Sequence, residues 1–527
     1  MSALQRRQFL RLAGKGALAG LGAAVLGQQG SRAFASAVSR THFHALVIGS
    51  GFGGSVAALR LGQAGVDTLV VERGREWPVA PAKPVFGSPN GITDTMFWFR
   101  RNARWPGMLP VPLTPSPGVL EVSEEDSLDI ACGAAVGGGS VVYTGATLAP
   151  PQRYFDALYP SGLHYQEFTR TWYPKVRAML GAGLMPQDVY DSAPFTHSRL
   201  WDRQMAKARF RTSPIDSTFD WDVVRRELAG TAPLSATVGD SDFGCGNGAK
   251  KSLTHSYLPD ALATGNVQLR SLHEVRSIAR RSDGRFSVAV RQLDFRGATI
   301  DTTEYTCAML FVAAGTLNTN RLLVAARELG ALPDLPATVG TGFGDNGDQL
   351  NLRSQPLKSV GASQGSPSAS AAFFHHEFGL PLLAENWVLP GYSALPATVT
   401  FTMTVDTDHR GTFRYDPRRR RVVLADWTRE KSAAAARATL DYSSRVVEAN
   451  PGSLPITLNN PRTMTGHPVG GCALGRCTDL EGRVKGNRGL YVMDGSLLPG
   501  NVGGANPSLT IAAVAERAMS RIVAAGG

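Results

Sequence analysis

The stretch "HALVIGSGFGGSVAALRLGQAGVDTLVVERG", residues 44–74, decides the fold. His44 to Ile48 is a continuous apolar run, the pattern of a central strand covered on both faces of a parallel sheet. Gly49, Gly51 and Gly54 then fill G-x-G-x-x-G at a turn, an alanine- and leucine-rich helix follows, and a second strand ends at Glu72. The first two glycines let the backbone bend and approach a pyrophosphate, and the third lets the helix pack close to the strand. Free N–H groups at the helix start would face the anion. Glu72, about 20 residues on, is placed to accept hydrogen bonds from a ribose diol. Strand, turn, helix and acid in register predict an adenine-dinucleotide site. NAD and FAD both remain open on this motif.

Other segments bear on that choice. "CGAAVGGGSVVYTG" (132–145) carries the triple glycine Gly137, Gly138 and Gly139, then Ser140 and a short β-branched run. It reads either as a hairpin or bulge, or as backbone brought close to a bulky planar ring. "RGLYVMDGSLLPGNVGGANPSLTIAAVAERAMSRIV" (488–523) gives a strand over Leu490 to Met493, then Asp494, a loop, and a helix starting near Pro507. Asn506 sits where a helix cap belongs, and local sequence leaves a cap and a functional amide equally open. "TGHPVGG" (465–471) holds His467 in a run too rich in glycine and proline for a helix or central strand.

At 527 residues there is room for two or three domains, and 43% hydrophobic with 18% charged residues is ordinary for a soluble globular enzyme. No internal repeat occurs at solenoid or propeller periods. The net charge is +11, but Arg6, Arg7, Arg11, Lys15 and Arg32 lie in an acid-free N-terminal segment, without which +6 remains. Residues 1–35 have twin arginines, a glycine-diluted apolar run and small residues at Ala33 and Ala35. They read as a twin-arginine export signal, which implies a periplasmic or secreted protein loaded with its cofactor before export; an amphipathic helix is the alternative. No other run approaches the ~20 apolar residues that span a bilayer. The five cysteines form no C-x-x-C pair and have no histidine at zinc spacing, so neither a disulfide framework nor a metal site is expected. "DPRRRR" (416–421) reads as a solvated hairpin turn, and with no other basic cluster nucleic acid is excluded as a partner. "DTMFWFRRNARWPGMLPVPL" (94–113) has neither helical nor strand period and reads as a long structured loop. Its aromatic residues and Arg100, Arg101 and Arg104 suit either transient contact with a membrane surface or burial against a second domain.

Taken in order, the fingerprint at 46–54, "AVGGGS", "SLTHSYLPDAL", "LHEV", "LFVAAGTLNTNRLL", "VGTGFGDNGD", "LLAENW", "HRGTF", "GHPVGGCALG", "YVMDGSLLPG" and "NPSLTIAAVAER" resemble the glucose-methanol-choline (GMC) flavoprotein oxidoreductases, and within them the cholesterol oxidases that hold FAD non-covalently. The resemblance covers nearly the whole chain after the signal. It implies an α/β fold: a Rossmann-like, doubly wound FAD domain (42–150, 246–340 and 460–527) and an α+β substrate domain (151–245 and 341–459) whose antiparallel sheet roofs the flavin. "TVTFTMTVDT" and "GTFRYDPRRRRVVLADW" suit that sheet. By the same resemblance His467, Asn506 and Glu385 are the catalytic residues. Gly49, Gly51, Gly54, Glu72, Gly137, Gly138, Gly139, Ser140, Val275, Gly315, Asp494, Asn506 and Pro507 are the cofactor-binding residues. The implied reaction takes a 3β-hydroxysterol to its ketone, with molecular oxygen reduced to hydrogen peroxide and Glu385 then shifting a ring double bond into conjugation. Among Leu382, Leu383, Trp387 and Val388 the Glu385 carboxyl should be poorly solvated and unusually basic. Tyr143 and Ala146 depart from the family pattern near the flavin. They keep open a second reading, an alcohol or sugar dehydrogenase passing electrons to a quinone or cytochrome. A third is a non-catalytic, lipid-binding flavoprotein.

Overall fold

The computed structural model describes residues 41–79, 86, 93–103, 111–389, 394–456 and 462–526. The segment read as an export signal lies outside the described residues, as do Arg104, Trp105, Met108 and Leu109 of the aromatic loop. The elements that build the site are β1 (His42–Ile48), α1 (Phe52–Gln63), β2 (Thr68–Val71), α2 (Thr196–Lys207), β3 (Val267–Arg270), β4 (His273–Arg280), β5 (Phe286–Leu293), β6 (Thr299–Val312), α3 (Thr316–Glu328), β7 (Thr341–Gly344), β8 (Asp348–Ser354), β9 (Ser370–Phe374), β10 (Leu382–Trp387), β11 (Ala397–Thr404), β12 (Gly411–Asp416), β13 (Arg421–Leu424), α4 (Arg429–Glu448), β14 (Val469–Gly471), β15 (Leu490–Val492) and α5 (Pro507–Ala524).

The fingerprint strand is central. β3, β2, β1 and β6 run parallel side by side, and β15 joins the far edge of β6 in parallel. β6 changes character along its length. Its polar first half pairs antiparallel with β5, and its apolar second half, "CAMLFV", enters the parallel sheet and is mostly buried. At the end of β1, Gly49 has φ 97°, and a Cβ there would lie 2.3 Å from the Ala313 carbonyl oxygen. A Cβ on Gly54 would lie 2.1 Å from the Gly49 oxygen, so α1 sits as close to the strand as backbone allows. α1 is covered along most of its length, and α5 packs beside it. Glu516 of α5 ties the two: its buried carboxylate accepts from Arg60 Nε (2.8 Å), Tyr257 Oη (2.9 Å) and Lys175 Nζ (2.9 Å).

A second sheet is antiparallel, in the order Pro455–Ile456, β8, β11, β10, β9, Ser213–Pro214. All eight residues of β11 are buried, because α2 and α4 pack on this sheet from one side while apolar Ala146, Leu383, Phe401 and Met403 cluster on it as well. Two polar positions of the strand are satisfied inside: Thr400 Oγ1 accepts from Trp201 Nε1 (2.8 Å), and Thr402 meets Thr439 at 2.7 Å.

The hairpin 411–424 does not join this sheet as its sequence pattern predicts. It forms a separate four-stranded sheet, β13-β12-β7-β14. The reason is local: Phe413 packs on Phe343 of β7 (5.2 Å between centroids), which also meets Trp427 (5.5 Å), and that aromatic group draws the hairpin to β7. β14 closes the same sheet, so this corner of the fold carries the loop of His467. The aromatic loop also differs from a pure loop, because Asn102–Ala103 pairs with Val111–Pro112 and Phe97 is buried, 6.2 Å from Phe243. Among the described residues no helix is long and apolar enough to cross a membrane.

Candidate active site

A cavity of about 730 Å³ lies at the carboxyl ends of β1, β2, β6 and β15 and is walled on another side by Glu385 and Trp387 of β10 and Phe401 of β11. Ligand sites in open α/β sheets fall at such strand ends. Of the residues singled out in the sequence, Gly49, Gly51, Glu72, Gly138, Gly139, Val275, Gly315, Asp494, Pro507, Asn506, Glu385 and His467 all line this one cavity. Gly54, Gly137 and Ser140 stand behind its wall. Gly54 sets the helix against the strand. Ser140 Oγ donates to the Gly137 carbonyl (2.7 Å) and accepts from Leu253 N–H (3.0 Å), which fixes the triple-glycine turn from the rear.

The residues present fit a dinucleotide. A Cβ at Gly51, Gly139 or Gly315 would meet nothing within 4 Å, so at these points the backbone faces open space. Gly51, in the cap position before α1, offers no side-chain cap, which leaves the helix's first N–H groups available to an anion. Glu72 is fixed by Ser50 N–H (2.9 Å), the Ser50 hydroxyl (2.8 Å) and Gly74 N–H (2.7 Å), and Oε1 keeps acceptor capacity for a diol. Asp494 accepts from Gly315 N–H (3.0 Å) and the Thr319 hydroxyl (2.5 Å), so it holds the start of α3 at the cavity wall.

The catalytic half of the cavity is built from three chain segments. His467 enters on the glycine-rich loop before β14. Two bonds staple that loop to α3: Thr316 Oγ1 donates to the Pro468 carbonyl (2.7 Å) and Asn320 Nδ2 to the Gly470 carbonyl (3.0 Å). The imidazole stands edge-on to Phe401 at 5.4 Å. Asn506 occupies the cap position of α5, yet its side chain makes no capping bond. Its Nδ2 donates instead to Glu385 Oε2 (3.1 Å), and its buried Oδ1 has no partner. Glu385, on β10, is 1% exposed, which excludes a solvent-facing carboxylate at a strand end. Its Oε1 has no hydrogen bond, although the Ser368 hydroxyl is nearby. Burial raises the Glu385 carboxyl above the usual carboxylate range, and the bond from Asn506 and the charge of His467 only partly offset it.

Sequence reasoning missed Asp348. At the start of β8 and 1% exposed, this carboxylate receives the Thr465 hydroxyl (2.8 Å), Gly466 N–H (3.0 Å), His467 N–H (3.1 Å) and His467 Nδ1 (3.0 Å). Facing an acceptor already surrounded by donors, Nδ1 carries the proton, and Nε2 is left as the ring's free nitrogen. Burial opposes the imidazolium, but Asp348, followed by Glu385, outweighs it and holds the imidazole above its ordinary value. The signal was present in "FGDNGD", an acid in a glycine turn within the matched landmarks, but no local rule pairs it with a histidine 119 residues later.

Tyr143 lines the cavity with its ring. Its hydroxyl turns to Thr218 Oγ1 and to the Lys251 carbonyl (3.1 Å), and burial raises it above the usual phenol range. The arginine turn is a solvated hairpin capped by Asp416, which accepts from Arg418 and Arg419 N–H (2.8 and 3.1 Å). Arg420 and Arg421 nevertheless reach an outer end of the same cavity.

A dinucleotide cradle that opens directly onto a half-buried histidine and a buried amide and carboxyl is the arrangement of a nucleotide-dependent oxidoreductase. The chain belongs to the GMC oxidoreductase family, which binds FAD: the family's N-terminal model matches residues 43–326 and its C-terminal model residues 403–515. It is similar to a protein named cholesterol oxidase from Mycobacterium tuberculosis, at 27% identity over 91% of this chain and 90% of the relative. One of the same name from Acinetobacter baumannii is 24% identical over 91% of this chain and 94% of the relative. Among solved structures a fungal aryl-alcohol oxidase superposes with a TM-score of 0.60 at 15% identity, over 92% of this chain and 100% of that one.

Proposed function

We propose that the protein oxidises a secondary alcohol of the 3β-hydroxysterol class to its ketone, using non-covalently held FAD and oxygen as electron acceptor, and then isomerises the product to the conjugated enone. The observation that carries this reading is the meeting of His467, Asn506 and Glu385 on the cavity that also holds the glycine turn. The two relatives named cholesterol oxidase, similar over nearly their whole length, support the substrate class.

When bound, FAD supplies the hydride acceptor. Gly51, Gly139, Gly315 and Glu72 would hold it. His467 Nε2, unprotonated while Nδ1–H is bound to Asp348, takes the proton of the substrate hydroxyl. Asn506 has one N–H committed to Glu385, which leaves its second N–H for the oxygen as that proton departs. Phe401 and Trp387 exclude water, so these contacts act in a low dielectric. Glu385, made basic by burial, moves a proton from the carbon beside the new ketone to the far end of the alkene.

The test is anaerobic mixing of the FAD-loaded protein with 3β-hydroxysterols and simple alcohols while flavin absorbance is followed. Bleaching by sterol, and its loss by orders of magnitude in His467→Ala with FAD retained, is the expected result. Bleaching at the wild-type rate in that variant would remove His467 from the mechanism. Tyr143 favours a second acceptor reading, since an aromatic ring at the cavity wall restricts access of oxygen. Fast anaerobic reduction followed by slow reoxidation in air would select a quinone or cytochrome instead. We further propose that residues 1–35 direct export by the twin-arginine route, which the mass of the mature N-terminus tests.

A further inference from the structure

Several buried carboxylates in this protein are well supplied with donors. Glu72 has three, Asp348 four, and Glu227 receives Ser235, Ala236 and Thr237 N–H with the Thr237 hydroxyl and Asn247. Among the described residues three carboxyl oxygens wholly shut off from solvent lack a hydrogen-bond partner: Oε1 of Glu385 and both oxygens of Asp242. All three belong to residues that line this same cavity. A carboxyl group buried with neither oxygen paired is costly and rare, and it persists where something outside the protein completes it.

The setting of Asp242 explains why the protein itself does not complete it. The residue is 5% exposed, on the short turn Ser241–Phe243, whose backbone is fixed by Phe243 N–H to the Asp240 carbonyl (3.0 Å) and Ser241 N–H to Ser366 Oγ (3.3 Å). The nearby cation is Lys250, and its three donors are already used on the carbonyls of Val141 (2.9 Å), Tyr143 (2.7 Å) and Ser241. Lys250 therefore compensates charge from behind without bonding Asp242. Burial, and Glu385 across the cavity, push the Asp242 carboxyl up to about 7, while Lys250 pulls it down. Phe243, Ala146, Trp387 and Phe401 make the surrounding wall apolar. An isolated polar group in an apolar chamber fixes ligand orientation and specificity.

We propose that Asp242 receives a second hydrogen-bond donor of the substrate, so that the chamber selects an alcohol carrying a hydroxyl or amino group remote from the hydroxyl that is oxidised. The inference rests on the alcohol-oxidation reading and narrows its substrate class. A plain monohydroxy sterol satisfies His467 and Asn506 but leaves Asp242 unpaired, and sites built to bond a polar group discriminate strongly against analogues that lack it.

The test uses matched probes that differ only in the second group: a 3β-hydroxysterol beside its side-chain hydroxylated and side-chain aminated forms, and hexan-1-ol beside 1,6-hexanediol and 6-aminohexan-1-ol. Binding is read from perturbation of the FAD spectrum in the His467→Ala holoenzyme, and turnover from anaerobic flavin reduction in the wild type. In at least one set the bifunctional probe should bind about 10- to 100-fold more tightly than its partner. Asp242→Leu should abolish that preference while monohydroxy probes bind as before, and Asp242→Asn should keep part of it for the hydroxyl probe and lose it for the amine. No preference in any set, or one that survives in Asp242→Leu with FAD content unchanged, overturns the proposal. A preference by binding, with no alcohol reducing the flavin, refutes the oxidation reading and leaves Asp242 as the donor-binding group.

Discussion

Asp348→Asn is the sharpest test of the histidine's role, because the change is nearly isosteric and its consequence is chemical. Two backbone N–H groups, of Gly466 and His467, point at Asp348 Oδ2 at 3.0 and 3.1 Å. An amide at this position must turn its oxygen to them and present its NH₂ to His467 Nδ1. Nδ1 then becomes an acceptor, the ring proton moves to Nε2, and the nitrogen facing the cavity can no longer take a proton. Forcing the wrong tautomer on a catalytic imidazole costs on the order of 10³- to 10⁴-fold. The variant also loses a charge-assisted hydrogen bond worth about 1.5–3 kcal/mol and the carboxylate's charge, so the imidazole is lowered from its wild-type position. The wild-type imidazole is held above 6.5, so its reduction rate should rise with pH through that raised value as imidazolium deprotonates. In Asp348→Asn the residual rate should be small and its rising limb should move to lower pH. The assay is single-turnover flavin reduction between pH 5 and 9, roughly, spanning the histidine range, with FAD content and melting temperature as controls. A reduction rate within about tenfold of wild type, with the limb unmoved, would refute the tautomer argument.

Glu385→Gln should keep most oxidation and release unconjugated ketone, measured by the absence of enone absorbance. It should also change the pH dependence of stability. Folding raises the Glu385 carboxyl above its ordinary 4.5, so the native state holds its proton longer than the unfolded chain and loses stability as pH rises from 4.5 through the folded value. Thermal melts of the Gln variant should lack that decline. Gly54→Ala places a Cβ 2.1 Å from the Gly49 oxygen and should destabilise the nucleotide domain by about 1–3 kcal/mol or more, with FAD lost on gel filtration. Thr316→Val removes the bond to the Pro468 carbonyl and should slow flavin reduction by about 2- to 10-fold at unchanged FAD content, since one hydrogen bond is worth about 0.5–1.5 kcal/mol.

The nucleotide half of the fold was legible because its signals are local. Strand, glycine turn, helix and acid lie within 44–74, and each is dictated by steric or hydrogen-bonding needs of neighbours in the chain. His467 and Asn506 were singled out by their flanking glycine and proline, but their roles came from the family resemblance, since local sequence alone left a helix cap and an ordinary turn open. Asp348 and Asp242 were not found. Each owes its character to groups distant in sequence, one to a surplus of donors and the other to their absence, and neither has a local pattern. The hairpin 411–424 was read correctly as strand, turn, strand but given the wrong neighbours. Alternation specifies a face, and only Phe413 meeting Phe343 and Trp427 specifies which sheet receives it.

The clasp at Glu516 has a consequence for how the chain matures. Arg60 lies at the beginning of the described protein, and its partner follows 456 residues later. β1 is flanked by strands from residue 68 and residue 306 onward, and β15 completes that layer only at residue 490. A ribosome-bound nascent chain therefore cannot finish the domain begun at β1 until β15 and Glu516 have been made. Such late, long-range closure makes folding slow and leaves apolar faces open during synthesis, when chaperone capture competes with self-association. Any loss of α5 deprives the opening βαβ unit of the surface on which it rests.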